Sequence, residues 1–398
     1  MSDNPNAFKH AFNAASVQTL ADRVAAVHPA FDRAAFHGEL TNLESLELKD
    51  RVRAIAAALH RGLALPFPEA ARVLVAARVD SGFSAWPLVT YIGRYGLEHF
   101  EESMAALQAL TERFSGEFDV RPFLIREPKR AFAVLQRWTQ DPSEHVRRLA
   151  SEGSRPRLPW GDRLQALIAD PRPTLPLLEA LKDDPSAYVR KSVGNHLNDI
   201  AKDHPDVVLS LAERWLGERE SRLGIVKLAL RSLVKAGDAR ALAVMGHGTA
   251  EGLRVEDFSV PERVTIGESV EIRFSVWNDG ALPVSAQVDY RVHYVGPKGV
   301  RAPKVFKLKA VQLAAGQGVP ICKRHAFKHV SIRRLFPGVH RIDVQVNGKV
   351  LAGGGVTLAQ HPEEHVADVI LPAKKDGENT HDRPVFIDVE PVDRPIDG

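Results

Sequence analysis

Two stretches of the chain lying 43 residues apart are near copies: Asp141-Pro142-Ser143-Glu144-His145-Val146-Arg147-Arg148 and Asp184-Pro185-Ser186-Ala187-Tyr188-Val189-Arg190-Lys191. A period of ~40–47 residues is that of HEAT-type helical repeats. Each copy opens on Asp-Pro-Ser, which supplies proline and a capping oxygen just ahead of an apolar stripe. A weaker third copy follows at Ile225-Val226-Lys227-Leu228. Such a unit buries its stripe only against its neighbours, so the repeat predicts a stacked solenoid with a concave binding surface.

The surrounding chain agrees. Apolar residues recur at helical spacing up to about residue 245, from Leu46–Leu59 through Met104, Leu107, Leu110 and Phe114 onward. Beyond Gly246-His247-Gly248 the period drops to two, as in Val270-Glu271-Ile272-Arg273-Phe274-Ser275-Val276, and again over 284–295, 305–313 and 339–346. Turn signals such as Asn278-Asp279-Gly280 and Asn347-Gly348 separate these runs. About seven short strands suggest a sandwich of immunoglobulin-like type without its disulfide. The expected architecture is multi-domain: an all-α HEAT-like repeat solenoid over 1–245, a linker at 246–251, an all-β immunoglobulin-like sandwich over 252–359, and a flexible acidic tail over 360–398.

Charge sharpens this division. The formal net charge of +3 averages unlike segments: from Tyr290 to Ile342 there is no Asp or Glu, whereas the last forty residues are rich in both. A basic module beside an acidic tail points to a polyanionic partner. The single cysteine, Cys322, rules out an internal disulfide and favours a reducing compartment. No signal peptide or membrane-length apolar run is visible, which predicts a soluble, cytoplasmic protein.

A helical wheel sets Val146, Leu149, Ala150 and Gly153 on one packing stripe and His145, Arg148 and Glu152 on another face. In the second copy Val189, Val193, His196 and Ile200 pack, while Tyr188, Lys191, Asn195 and Asp199 form the other face. If these faces line the concave surface, Arg148, Glu152, Lys191 and Asp199 converge there. By pattern alone, Arg148 and Glu152 equally describe a solvated i,i+4 pair contributing only ~0.3–0.5 kcal/mol.

The segment from His145 to Trp160, together with Phe114–Phe123 and Val189–Asp199, resembles the AlkC branch of the HEAT-like-repeat DNA alkylation-repair glycosylases. The likeness covers roughly residues 15–240, and a subset of that family carries an immunoglobulin-like domain after the helices. It implies excision of cationic N3-methylated bases, 3-methyladenine and 3-methylcytosine, without a metal or redox cofactor. It also implies cleavage with the base still stacked rather than flipped into a pocket. Residue by residue, it implies Glu152, Asp199 and Glu117 as the catalytic carboxylates, with Arg148 and Trp160 beside them. The family often has Thr-Ser where this chain has Ser115-Gly116.

The chemistry suits these residue types. A base methylated at N3 is already cationic and leaves without protonation, so the developing oxocarbenium-like sugar is what needs stabilising. Carboxylates at Glu152 and Asp199 would do this, with Glu117 assisting the water or the sugar. Trp160 offers a π-face to sugar or base, or else fills a groove between repeats. Arg148, Arg190 and Lys191 are expected phosphate contacts. In the sandwich, Lys323-Arg324 and Arg333-Arg334 flank expected loops and are assigned to duplex DNA.

The expected partner is therefore double-stranded alkylated DNA, bound by a monomer with no metal, cofactor or membrane. Two other readings fit the same pattern: a non-catalytic DNA binder and a protein-docking scaffold. His361-Pro362-Glu363-Glu364-His365 matches an inverted zinc-protease motif in form only. His325 and His329 do not share a ligand face in a β region. Cys322 is expected to be a small buried residue.

Overall fold

The Asp-Pro-Ser repeats open the helices Glu144–Gly153 and Ala187–Ile200 in the computed structural model, which describes residues 7–329 and 334–360. In each copy the aspartate accepts from the serine backbone: Ser143 N donates to Asp141 Oδ1 (2.8 Å) and Ser186 N to Asp184 Oδ1 (2.9 Å). This side-chain turn aims the chain into the helix and leaves serine at the N-cap. The repeat arginine then braces the turn. Arg147 donates to the carbonyls of Asp141 and Pro142, both at 2.9 Å, and Arg190 to those of Asp184 and Pro185 at 2.6 and 2.8 Å. Arg147 also grips Asp184 of the next repeat through Nε (2.7 Å) and a terminal nitrogen (3.1 Å). Arg190, expected at a phosphate, is thus engaged within its own repeat, as the counterpart of Arg147.

The packing stripes are buried in both helices: Val146, Leu149 and Ala150 in the first, Val189, Val193, His196 and Ile200 in the second. Gly153 closes the first stripe because a Cβ there would lie 2.5 Å from Val120 Cγ1. That close approach draws the helix onto the segment bearing Glu117. Among the described residues there are sixteen α-helices, none long and apolar enough to cross a membrane.

The chain divides into two compact units, Met1–Ala229 and Leu230–Gly398. The helices Arg231–Ala236 and Ala239–Val244, which periodicity joins to the solenoid, therefore belong to the second unit. A hydrogen bond ties the first of these helices to the strands, Gln345 Nε2 donating to the Lys235 carbonyl (3.2 Å), and the connection that follows is held by Asn347 Nδ2 donating to the Thr249 carbonyl (3.3 Å).

The second unit is built from strands β1 Leu253–Ser259, β2 Arg263–Thr265, β3 Ser269–Asn278, β4 Val284–His293, β5 Val295–Gly296, β6 Gly299–Val300, β7 Lys304–Leu313, β8 Gly318–Ala326, β9 Gly338–Val346 and β10 Lys349–Ala359. One sheet has the order β1-β3-β8, a second β2-β10-β9-β4-β7, and β5-β6 is a separate hairpin. Pairing is antiparallel except between β10 and β2. Inward residues alternate as expected, with Val270, Ile272, Phe274 and Val276 facing a core shared with Val288, Tyr290 and Val292.

Two expectations change here. Lys323 and Arg324 lie within β8, an edge strand, rather than beside a loop. Cys322 is exposed, because on this edge strand it stands opposite Arg273 on the outward side. His325 instead points into the core, between the hydroxyls of Tyr290 and Tyr294, both 3.0 Å away. Arg333, residues 361–398 and the His361–His365 motif lie outside the described residues.

Candidate active site

The helix Glu144–Gly153 carries Arg148 and Glu152 one turn apart, and Ala187–Ile200 packs against it with Ser192 and Asp199. The turn before Arg121–Arg126 supplies Glu117. These three segments bring all three expected carboxylates into one electrostatic chain. Glu117 pairs with Arg148, whose second terminal nitrogen lies 3.5 Å from Glu152 Oε1. Arg155 then donates to Glu152 Oε1 (2.6 Å) and, through Nε, to Asp199 Oδ2 (2.8 Å). The order is acid, base, acid, base, acid. Three carboxylates face two guanidiniums, leaving the row one negative charge in excess before Lys202, 3.5 Å from Asp199 Oδ1, is counted.

Burial makes this row unlike a surface pair. Glu152 is 5% exposed, Asp199 1% and Arg155 5%. The reading of Arg148 and Glu152 as a solvated pair is therefore corrected, since breaking a buried pair costs several kcal/mol. Burial alone would raise the Glu152 carboxyl. The charges of Arg148 and Arg155 and the Ser192 hydroxyl, donating to Oε2 at 2.6 Å, outweigh it and hold Glu152 below the usual carboxylate range. Glu152 is consequently ionised at neutral pH.

Arg148, expected at a phosphate, is committed to this row. Its guanidinium stacks over the Tyr188 ring at 5.0 Å and donates to Ser115 Oγ at 2.7 Å. Ser115 in turn donates to Glu117 Oε2 at 2.9 Å, so the Ser115-Gly116 departure keeps a hydroxyl linking arginine and acid. A cavity of about 200 Å³ opens here, with Phe114, Ser115, His145, Arg148 and Tyr188 in its lining. Lys191 is exposed.

Neither Arg155 nor Arg121 is marked for a role by the sequence pattern. Arg155 sits in the Ser-Glu-Gly-Ser-Arg-Pro motif, but beyond the helix end at Gly153, where a wheel gives no direction. Arg121, of the Val-Arg-Pro-Phe motif, is 2% exposed and donates to the carbonyls of Gly153 and Arg155 (2.9 Å each) and Asp162 (3.0 Å). Burial pulls it down to about 10. One motif thus fixes the backbone of the other.

That pinned segment ends in Trp160, which has φ of 64° and a carbonyl accepting from Lys49. Trp160 is 40% exposed and does not fill an inter-repeat groove. With Trp86 and Phe118 it lines a second cavity of about 320 Å³. Asp119, also unassigned by sequence, lines the same cavity. Burial, reinforced by nearby Glu117, pushes its carboxyl up to about 7 against the Thr90 hydroxyl, Lys49 and Arg53.

A raised carboxyl contributes stability below its unfolded value that is lost as pH climbs through the folded one. Asp119→Asn should therefore be more stable than the parent at pH 8, by up to about 4 kcal/mol, with the gap narrowing as pH falls through 7 and closing near pH 4. Thermal melts at both pH values check this, and equal gaps would exclude ionisation of Asp119 as the cause.

Residues 119–225 match a family model described as DNA alkylation repair enzyme, and 254–360 one described as the C-terminal Ig-like domain of the uncharacterised protein YhaZ. The chain is 38% identical over 346 residues to the uncharacterized protein YhaZ of Bacillus subtilis (strain 168), covering 86% of this chain and 96% of that one. It is 41% identical to the Pseudomonas fluorescens alkylpurine DNA glycosylase AlkC, solved bound to DNA containing an abasic site analog. That match has a TM-score of 0.85 and covers 89% of this chain and 99% of the other.

Proposed function

The chain belongs to the AlkC-type DNA alkylation-repair glycosylases that carry a C-terminal immunoglobulin-like domain, and from that premise we infer that it excises cationic N3-methylated bases, 3-methyladenine and 3-methylcytosine, from double-stranded DNA. The observation carrying this reading is the acid–base row that gathers three carboxylates, two of them buried, at one place. A lesion base that is already positive departs as a neutral molecule and leaves the charge on the sugar. Fixed carboxylates in a site of low dielectric stabilise that sugar cation without reorganising.

In this reading Glu152 and Asp199 supply the field. Glu117, at the open end with a side chain 15% exposed, holds the attacking water and directs it at the sugar carbon. Arg148 and Arg155 hold the three acids in place and keep Glu152 ionised. Water adds as the glycosidic bond breaks, and its proton passes to a carboxylate or to solvent. The opening at Arg148 and Tyr188, about 200 Å³, is smaller than the ~300 Å³ of a small ligand pocket. This favours approach from the sugar side with the base still stacked.

The purified protein is expected to release 3-methyladenine from mildly alkylated duplex DNA with no added metal. Absence of any released base would overturn the reading.

Lys191 on the helical unit and Lys323, Arg324 and Arg334 on the β unit, all exposed, are proposed DNA contacts, as is Arg333. Replacing Lys323 and Arg324 together by glutamine should flatten log Kd against log salt by about 1.8 if both meet phosphates. An unchanged slope would remove β8 from the interface.

A further inference from the structure

The 320 Å³ cavity is separate from the acid–base row and has its own polar group. Its walls come from the helices Leu48–Leu63 and Trp86–Tyr95, the Phe118–Asp119 turn and the Trp160–Asp162 segment. Three aromatic side chains, Trp86, Phe118 and Trp160, contribute to the lining. Asp119 is 9% exposed, and its Oδ2 is buried without a hydrogen-bond partner. Such an orphan acceptor is costly unless something donates to it.

The site is also built to hold that acid in place. Gly93 has no side chain where Asp119 packs: a Cβ there would lie 2.8 Å from both Cβ and Oδ1 of Asp119. Trp86 and Phe118 stack on each other at 5.9 Å and Lys49 lies over Phe118, so Trp160, the exposed ring of the three, beside the buried acceptor describes a seat for a planar ring carrying an N–H edge. At about 320 Å³ it stands at the small end of ligand pockets, ~300–1,000 Å³, which suits one ring system.

We propose that this cavity seats a nucleobase, lying against the aromatic wall with an edge N–H or amino group donated to Asp119 Oδ2. The occupant assigned is the free base after excision, and this assignment of its source rests on the glycosylase reading above. A base still attached to a strand has the same ring chemistry. It would bring a phosphate to the rim, where Arg53 and Arg94 are exposed.

The test titrates free 3-methyladenine and adenine into the full-length protein without DNA, by calorimetry or equilibrium dialysis. A Kd below about 1 mM is expected, weakened at least tenfold by Asp119→Asn, which presents a donor in place of the acceptor at nearly unchanged volume. Thr90→Val, which removes the other hydrogen bond to Asp119, provides a second variant and should weaken binding less. Arg53→Gln, which removes a positive charge acting on Asp119, should weaken free-base binding less than Asp119→Asn.

A parallel arm follows 2-aminopurine fluorescence in a bound oligonucleotide. A response lost in both Asp119→Asn and Arg53→Gln, with no free-base binding, keeps the ring seat but overturns the free base as its occupant. Absence of Asp119-dependent binding in both arms overturns the seat. Base release from alkylated DNA is measured alongside: excision without base binding sinks the seat alone, and base binding without excision sinks the glycosylase reading.

Discussion

Glu152→Gln is expected to lower single-turnover release of 3-methyladenine by about 10²–10³-fold, the scale for removing one preorganised electrostatic stabiliser, while affinity for undamaged duplex stays within about threefold. The amide keeps the shape but removes one negative charge from the row and one of the two acceptor oxygens that serve Arg155 and Ser192. A sugar cation then develops beside two guanidiniums matched by two carboxylates. The same variant should discriminate between abasic-site analogues, binding a cationic iminosugar analogue more weakly and a neutral tetrahydrofuran analogue almost as before. Asp199→Asn should behave alike, because Arg155 couples it to Glu152. Retention of rate within threefold in both variants would mean that the field of these acids is not what stabilises the sugar.

The second large effect is on folding. Arg155→Met should destabilise the helical unit by about 3–5 kcal/mol, the cost of removing one partner from a buried ion pair. Here the single deletion strips a guanidinium from two buried acids, Glu152 at 2.6 Å and Asp199 at 2.8 Å. The loss should depend on pH in a defined direction. In the parent, Glu152 is held low, so its contribution is present above the unfolded value of 4.5 and disappears as pH falls through the folded one. Without Arg155 that carboxyl moves upward and protonates more readily. The gap in denaturant midpoint between parent and variant should therefore hold from pH 8 down to about pH 4.5 and shrink below it. A gap independent of pH would point to lost packing alone. Arg155→Lys should recover part of the stability but less of the rate, because an ammonium does not present two fixed donors to two different acids.

The sequence was most legible where a local rule acts alone. The Asp-Pro-Ser repeats announced their helices, and the period-two runs announced β3, β4, β7 and β9, because turn chemistry and a one-sided core leave a direct mark on neighbouring residues. Legibility failed where one pattern has two physical causes. A polar helix face reads the same whether it meets water or a buried charge network, so Arg148 and Glu152 looked like a weak exterior pair. Lys323 and Arg324 read as loop-flanking in sequence because three successive outward-exposed residues, from Cys322 to Arg324, erase the alternation that marks a strand. Only an edge strand tolerates that run. In β10 the run Gly353-Gly354-Gly355 hides a strand whose register opposite β9 is otherwise continuous there. The helices Arg231–Ala236 and Ala239–Val244 carry a correct helical period, but periodicity says nothing about which unit a helix joins. Asp119 and Arg121 were hidden for a similar reason: their importance lies in what approaches them from distant segments.

The alternating order of the row from Glu117 to Asp199 also bears on how such a protein can change over generations. Each member is tolerable only in the presence of its neighbours, so a lone replacement in the middle exposes two opposite charges and is penalised twice. Replacements made in compensating pairs are far milder than their separate effects imply. Drift away from this chemistry is therefore expected to proceed by coupled jumps, with an arginine and an acid lost together. A descendant that keeps Arg155 after losing Glu152 and Asp199 would be a short-lived form, since its guanidinium would be stranded in a site with no partner.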